Sequence, residues 1–266
     1  MQNSIHALKR DIVEVGRRVY DRGYVASNDG NISVRVDEKR VLITPTGVSK
    51  GFMKVEDIIL VDYDGNVLSG GKKPSSEVFM HLRMYKERPD VNSVCHAHPI
   101  HATGFAVAGI PLDQCVLPEV VVALGSIPLI AYGTPGTAEF FEPVLPYVKN
   151  HDAFLLANHG ALTIGKDLFN AYHKMETLEH FAHIAFVAMQ VGSVHVLNTQ
   201  QVEKLYELRK RFGITTAGEC KTCETEGTCQ IPSAGAGTVQ AAGTALSPDK
   251  EAMIAQVTRA VLNQLK

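Results

Sequence analysis

The chain has 266 residues, 45% hydrophobic and 20% charged, with a formal net charge of −2, so it can bury a sizeable core but presents no basic field suited to nucleic acid. Its longest apolar stretches, residues 116–122 and 181–191, are too short or too interrupted to span a bilayer, and Met1-Gln2-Asn3-Ser4 lacks a signal-peptide core, which predicts a cytoplasmic protein. Five cysteines, an odd number, argue against a disulfide framework and fit a reducing compartment.

In chain order, Ile5 to Arg22 reads as a helix with Leu8, Ile12, Val15 and Val19 on one face. A meander of short strands follows at Asn31 to Val36, Arg40 to Thr44 and Ile58 to Val61, bounded by Gly, Asp and Pro. A Gly/Lys/Pro/Ser turn from Gly70 to Ser76 then runs into an amphipathic helix, with Val78, Phe79, Leu82 and Tyr85 expected on its buried side. Glu77 is the first carboxylate after that turn. A carboxylate there serves either the helix dipole or proton transfer, and the residues alone leave both open.

Cys95-His96-Ala97-His98-Pro99 places two histidines at i and i+2, on one side of an extended strand, where both imidazoles can reach one ion. His159 stands before Gly160 at the end of the apolar run Phe154-Leu155-Leu156-Ala157, where a strand would finish and turn. With 11 histidines in the chain a close pair can arise by chance. Glu77 adds weight to the metal reading, and three neutral imidazoles with an open position are the ligand set of a catalytic zinc site.

Leu168 to Val191 is a long periodic helix, and Thr199 to Phe212 closes the expected folded domain, residues 1–213. Residues 214–246 are rich in Gly, Thr and Ala and read as a flexible linker. Ser247-Pro248-Asp249 supplies an N-cap, a proline and an acid, and Met253, Ile254, Val257, Val261, Leu262 and Leu265 then form an apolar stripe on a helix over 247–266. A lone helix of this length is marginal in water and needs a partner, either its own core or another protein. Cys220-Lys221-Thr222-Cys223, with Cys229 nearby, offers three thiols for zinc or an iron–sulfur cluster but no fourth ligand, so mobile thiols are expected there.

The runs Gly30-Asn31-Ile32-Ser33-Val34-Arg35, Ile43-Thr44-Pro45-Thr46-Gly47, Pro74-Ser75-Ser76-Glu77, His96-Ala97-His98-Pro99, Tyr132-Gly133-Thr134-Pro135-Gly136-Thr137 and Asn158-His159-Gly160 together resemble the class II aldolase/adducin family, and within it the zinc-dependent L-fuculose-1-phosphate aldolases. The resemblance covers about Asn3 to Gly213. It implies an α/β fold of the α+β type, a three-layer α/β/α arrangement around a central, mainly antiparallel sheet. It also implies one zinc per subunit on His96, His98 and His159, with Glu77 as catalytic base and additional ligand, and a homotetramer with sites between subunits. Asn31, Thr46, Gly47, Ser75 and Ser76 match the family's phosphate pocket, although the same residue types populate ordinary turns.

The implied reaction is cleavage of L-fuculose 1-phosphate, with L-rhamnulose 1-phosphate as a further candidate, to dihydroxyacetone phosphate and L-lactaldehyde. Two departures stand out. The family's aldehyde-side tyrosine is replaced in the region Leu117-Pro118-Glu119-Val120, where Glu119 is the candidate occupant, and a C-terminal tyrosine corresponds to Phe212. The tail resembles the encapsulation peptides that carry enzymes into bacterial microcompartments, which implies shell proteins as partners of 247–266. The alternatives are a pentulose-phosphate 4-epimerase, which generally has aspartate where Glu77 stands, and a non-catalytic interaction protein like the cytoskeletal relatives, which lack the histidines.

Overall fold

The computed structural model describes residues 4–134, 136–214, 218–223 and 229–231. Helix α1 (Ile5–Asp21) begins at Ser4, whose hydroxyl accepts the Ala7 N–H, and it buries Ile12, Val15 and Val19. Strands β1 (Asn31–Arg35), β2 (Arg40–Ile43), β3 (Ile59–Asp62) and β4 (Val67–Ser69) form an antiparallel meander. Helix α2 (Val78–Glu87), β5 (Ser93–Ala97), α3 (Ile100–Ala108), α4 (Pro118–Ala123), β6 (Leu129–Ile130), α5 (Leu145–Val148), β7 (Ala153–Leu156), β8 (Gly160–Gly165) and α6 (Leu168–Val191) follow, then β9 (Val194–Val196), α7 (Thr199–Arg211) and β10 (Cys229–Ile231).

Eight strands make one sheet in the order β4-β3-β2-β1-β5-β8-β7-β6, antiparallel at every pairing except β6–β7. Alternation along the strands gives the sheet two buried faces. Ile32, Val34, Cys95, Ala97, Leu155 and Ala161 face one core with residues of α1, α3 and α6, while Ile43, Val94, Phe154, Leu156, Leu162 and Ile164 face a second core with α2 and residues 140–148. Burying both faces of the sheet under helices is the three-layer arrangement that the family resemblance implies. No helix among the described residues is long and apolar enough to cross a membrane.

Two expectations are corrected. Phe79 is 60% exposed. It sits on the outer face of α2 beside Gly65, while Met80, His81 and Met84 take the buried side with Val78, Leu82 and Tyr85. The second correction concerns residues 214–246. Gly218, Lys221 and Cys223 bridge Gly125, Gln114 and Asn198, Cys115 and Cys220 form a disulfide, and Cys223 is disulfide-bonded as well. Cys220 and Cys223 are therefore not mobile thiols, and β10 pairs with β9 still further along.

The odd cysteine count misled because Cys95 is buried as a free thiol inside β5, leaving an even number for pairing. Cys220 finds Cys115 across 105 residues and joins it in a small core with Val121 and Val202 between α4 and α7. Residues 232–246 and the helix expected over 247–266 lie outside the described residues.

Candidate active site

The site grows from a match of periodicities between β1 and α2. Four residues of helix advance about 6 Å and two residues of strand about 6.6 Å, so Glu77, His81 and Tyr85 keep step with Asn31, Ser33 and Arg35. The Asn31 Nδ2 donates to Glu77 Oε2 at 2.6 Å, His81 Nδ1 and Tyr85 OH lie 2.6 and 2.7 Å from Ser33 Oγ, and an Arg35 guanidinium nitrogen donates to the Tyr85 carbonyl. Glu77 is the N-cap of α2 but makes no capping hydrogen bond with its side chain. Its carboxylate is turned to the histidines instead.

His96 sits in β5, opposite Asn31 on one side and Leu162 on the other, and His98 follows just past the strand end. His159 is carried by the tight β7–β8 turn, in which Asn158 adopts φ 56° and the His159 N–H bonds the Leu156 carbonyl. The three rings cluster with centroids 4.7 to 5.1 Å apart. One ligand atom from each falls within 4.8 Å of the others, the one such group found among the described residues. Gly160 is required for this approach, because a Cβ there would lie 2.5 Å from His98 Cδ2 and 2.6 Å from the Ala97 carbonyl.

The donor set fits a metal ion. His96 Nδ1 lies 2.9 Å from the Ala161 carbonyl and so carries the proton, which leaves the Nε2 lone pair facing inward. His98 Nδ1 faces Asp29 Oδ2 at 3.5 Å, and its Nε2 lies 3.1 Å from His96 Nε2. With the His98 proton on Nδ1, toward Asp29, both Nε2 lone pairs would face one ion, and their spacing approaches the roughly 3.3 Å between ligands of a tetrahedral site with bonds of about 2.0 Å. Glu77 bridges the cluster, with Oε2 3.4 Å from His96 Nε2 and Oε1 3.4 Å from His159 Nε2. That Oε1 is buried with no hydrogen-bond partner.

Burial favours neutral ligands. It pulls the His96 imidazole down to about 3 against the opposing pull of Glu77, and His159 is lowered for the same reason. Burial also pushes the Glu77 carboxyl up, but His96, the Asn31 amide and His159 together outweigh it and hold the group below its ordinary value.

A cavity of about 190 Å³ opens beside this cluster, lined by Asn31, Thr46, Ser75, Ser76, Glu77, His98 and His159 together with Asn28, Asp29 and Gly30. Gly47, with φ 69°, turns the chain after Thr46 and is not itself among the lining residues. The Thr46 and Ser75 backbone N–H groups are already given to the Lys73 and Thr44 carbonyls, so what these two residues can offer an anion is hydroxyl. Lys50, 1% exposed, donates to the Asn28 and Val48 carbonyls and ties together the two loops that wall the cavity. A larger cavity of about 480 Å³ adjoins through Ser76 and Glu77 and is lined by Phe79, Arg83, Thr137, Phe140 and Phe141.

Glu119 is not brought to this site within the chain. It is exposed on the first turn of α4, and Phe212 is 69% exposed after α7. Asp29, Lys50 and His81 were missed by sequence reasoning. The only signal for His81 was its four-residue step from Glu77.

Residues 10–186 match the Class II Aldolase and Adducin N-terminal domain, and the chain belongs to that family. It is 37% identical over 204 residues to a 3-oxo-tetronate 4-phosphate decarboxylase of Haemophilus influenzae, covering 75% of this chain and 96% of that one. It is likewise 37% identical over 177 residues to an L-fuculose phosphate aldolase of Methanococcus maripaludis, with 66% and 95% covered. A solved L-fuculose 1-phosphate aldolase superposes with a TM-score of 0.70 at 31% identity, over 76% of this chain and 96% of that one. The protein is thus an enzyme of the class II aldolase superfamily, a metal-dependent class whose chemistry suits the histidine cluster.

Proposed function

We propose that the chain is a zinc-dependent aldolase that cleaves L-fuculose 1-phosphate to dihydroxyacetone phosphate and L-lactaldehyde, with L-rhamnulose 1-phosphate as a second candidate substrate. The observation that carries this reading is Glu77 seated between His96 and His159, a buried carboxylate against three convergent imidazoles. Nitrogen and carboxylate donors in this number suit zinc. Zinc, when bound, supplies Lewis acidity for the negative charge that develops on the ketone oxygen during carbon–carbon cleavage.

The protein's own groups do the rest. Ser75, Ser76 and Thr46 hydroxyls and the Asn31 amide hold the phosphate, which anchors the dihydroxyacetone phosphate half beside Glu77. Glu77 moves the proton on the carbon next to the ketone: it returns a proton there in cleavage and removes one in condensation. An epimerase is disfavoured by glutamate at position 77, and a non-catalytic adducin-like role by the complete histidine set.

A second reading is favoured by one observation. No tyrosine stands in 117–120 to move the proton of the aldehyde-side oxygen, and Glu119 in that region is exposed on α4. Decarboxylation of a 3-oxo acid 4-phosphate would use the same phosphate anchor and Glu77 but release carbon dioxide, and so needs no aldehyde-side acid. Zinc-loaded protein offered L-fuculose 1-phosphate and 3-oxo-tetronate 4-phosphate in parallel separates the two readings. Release of lactaldehyde supports the aldolase; carbon dioxide from the second compound alone replaces it. The quaternary expectation is a homotetramer that completes each site with Glu119 from a neighbour, and 247–266 is proposed as the segment that docks to a microcompartment shell.

A further inference from the structure

We propose that His81 is a positioning residue, which fixes the Asn31 side-chain amide so that its NH₂ end faces Glu77 and the anion cavity. The proposal rests on the reading of Asn31 as a phosphate-binding residue. The direction of every hydrogen bond follows from the charge on Glu77. A carboxylate only accepts, so the atom of Asn31 that lies 2.6 Å from Glu77 Oε2 is the amide nitrogen. The opposite end, Oδ1, then faces His81 Nε2, which must carry the imidazole proton. A neutral imidazole has one N–H, so Nδ1 accepts from the Ser33 hydroxyl at 2.6 Å, and Ser33 Oγ in turn accepts from Tyr85 OH at 2.7 Å.

The chain is sealed from water: His81 and Ser33 are fully buried, Tyr85 is 1% and Asn31 5% exposed. Burial also pulls the His81 imidazole down to about 4, against the raising effect of Glu77, which keeps it singly protonated at neutral pH. Asn31 lines the same cavity as Ser75, Ser76 and Thr46, so the second N–H of its amide is the group it can offer an anion. Without the His81 N–H, Oδ1 loses its donor and only the Glu77 contact is left to orient the amide. A flipped amide would set an acceptor against both the Glu77 carboxylate and the phosphate.

The test compares His81→Met, which fills the space without an N–H, with His81→Gln, whose side-chain amide can restore the donor. Calorimetric binding of dihydroxyacetone phosphate to the zinc-loaded full chain should weaken tenfold or more in His81→Met and stay within about threefold of wild type in His81→Gln, at equal zinc content. In the Asn31→Ala background, His81→Met should cost nothing further. Equal binding by wild type and His81→Met, equal losses in the Met and Gln variants, or additive losses with Asn31→Ala would overturn the proposal. ¹⁵N-histidine spectra of the unmutated protein judge it even where His81→Met does not fold: a ring protonated at Nε2 is expected, and a proton on Nδ1 refutes the assignment. If wild type fails to bind dihydroxyacetone phosphate, the functional reading fails, while the nitrogen spectrum still decides His81.

Discussion

At Gly160 the histidine cluster leaves no room for a single methyl group. Gly160→Ala would drive a Cβ into the Ala97 carbonyl and the His98 ring, so metal affinity should fall at least tenfold, read by competition with a chromophoric chelator. His96→Ala or His159→Ala should lose metal and activity together, because two imidazoles hold an ion poorly; stoichiometric metal in either variant would break the triad assignment.

Lys50 gives a pH signature away from the ligands. Burial lowers its pKa from 10.5 to about 8, with Asp29 pulling the other way. Between these values the unfolded chain binds the proton and the native one does not, so Lys50 makes stability rise with pH from about 8 to 10.5. Thermal melts of wild type and Lys50→Met should show this rise in the first and its loss in the second. The candidate ligands were legible in the sequence because H-x-H and N-H-G spacings are local. His81 and Lys50 were not, because each acquires its meaning from a partner tens of residues away.

At the scale of elements, α2 shows how far periodicity reaches. It predicted the helix and most of its buried side, but it put Phe79 inside, because an amphipathic pattern does not say that the helix must present a polar stripe of Glu77 and His81 to β1. The C-terminal segment shows a different failure. Low hydrophobicity in 214–246 predicted a linker, and composition could not reveal that Cys220 would be fastened to Cys115. Disulfides typically contribute roughly 2–4 kcal/mol, and chain entropy puts a loop of this length near the top of that range or above it. Cys115→Ser or full reduction should therefore lower the melting temperature by several degrees while leaving metal content unchanged. An unaltered melt would mean that the segment is held without it.

For the whole molecule, the three-layer architecture came from motif resemblance, and the strand order did not follow from periodicity: β1 pairs with β5 across more than 50 residues, and no local pattern encodes that. The docked segment also determines what a truncation should do. Ending the chain after Ile231 should preserve zinc content, oligomer size and turnover, whereas ending it after Phe212 removes Cys220 and should cost stability. Fusing 243–266 to a foreign soluble protein should carry that protein to a shell if the tail is a docking helix; a diffuse fusion in cells that make shells would favour a helix packed on its own core.

The central claim is that Glu77, held by Asn31 and the histidines, moves a proton on the carbon beside the ketone of dihydroxyacetone phosphate. Proton NMR of dihydroxyacetone phosphate in deuterated water with zinc-loaded protein tests it without an aldehyde or a sugar phosphate. The account predicts loss of one of the two hydrogens on that carbon with wild type, and no exchange with Glu77→Gln at undiminished zinc content. Exchange at the wild-type rate in Glu77→Gln, or none with the zinc-loaded wild type, would contradict it.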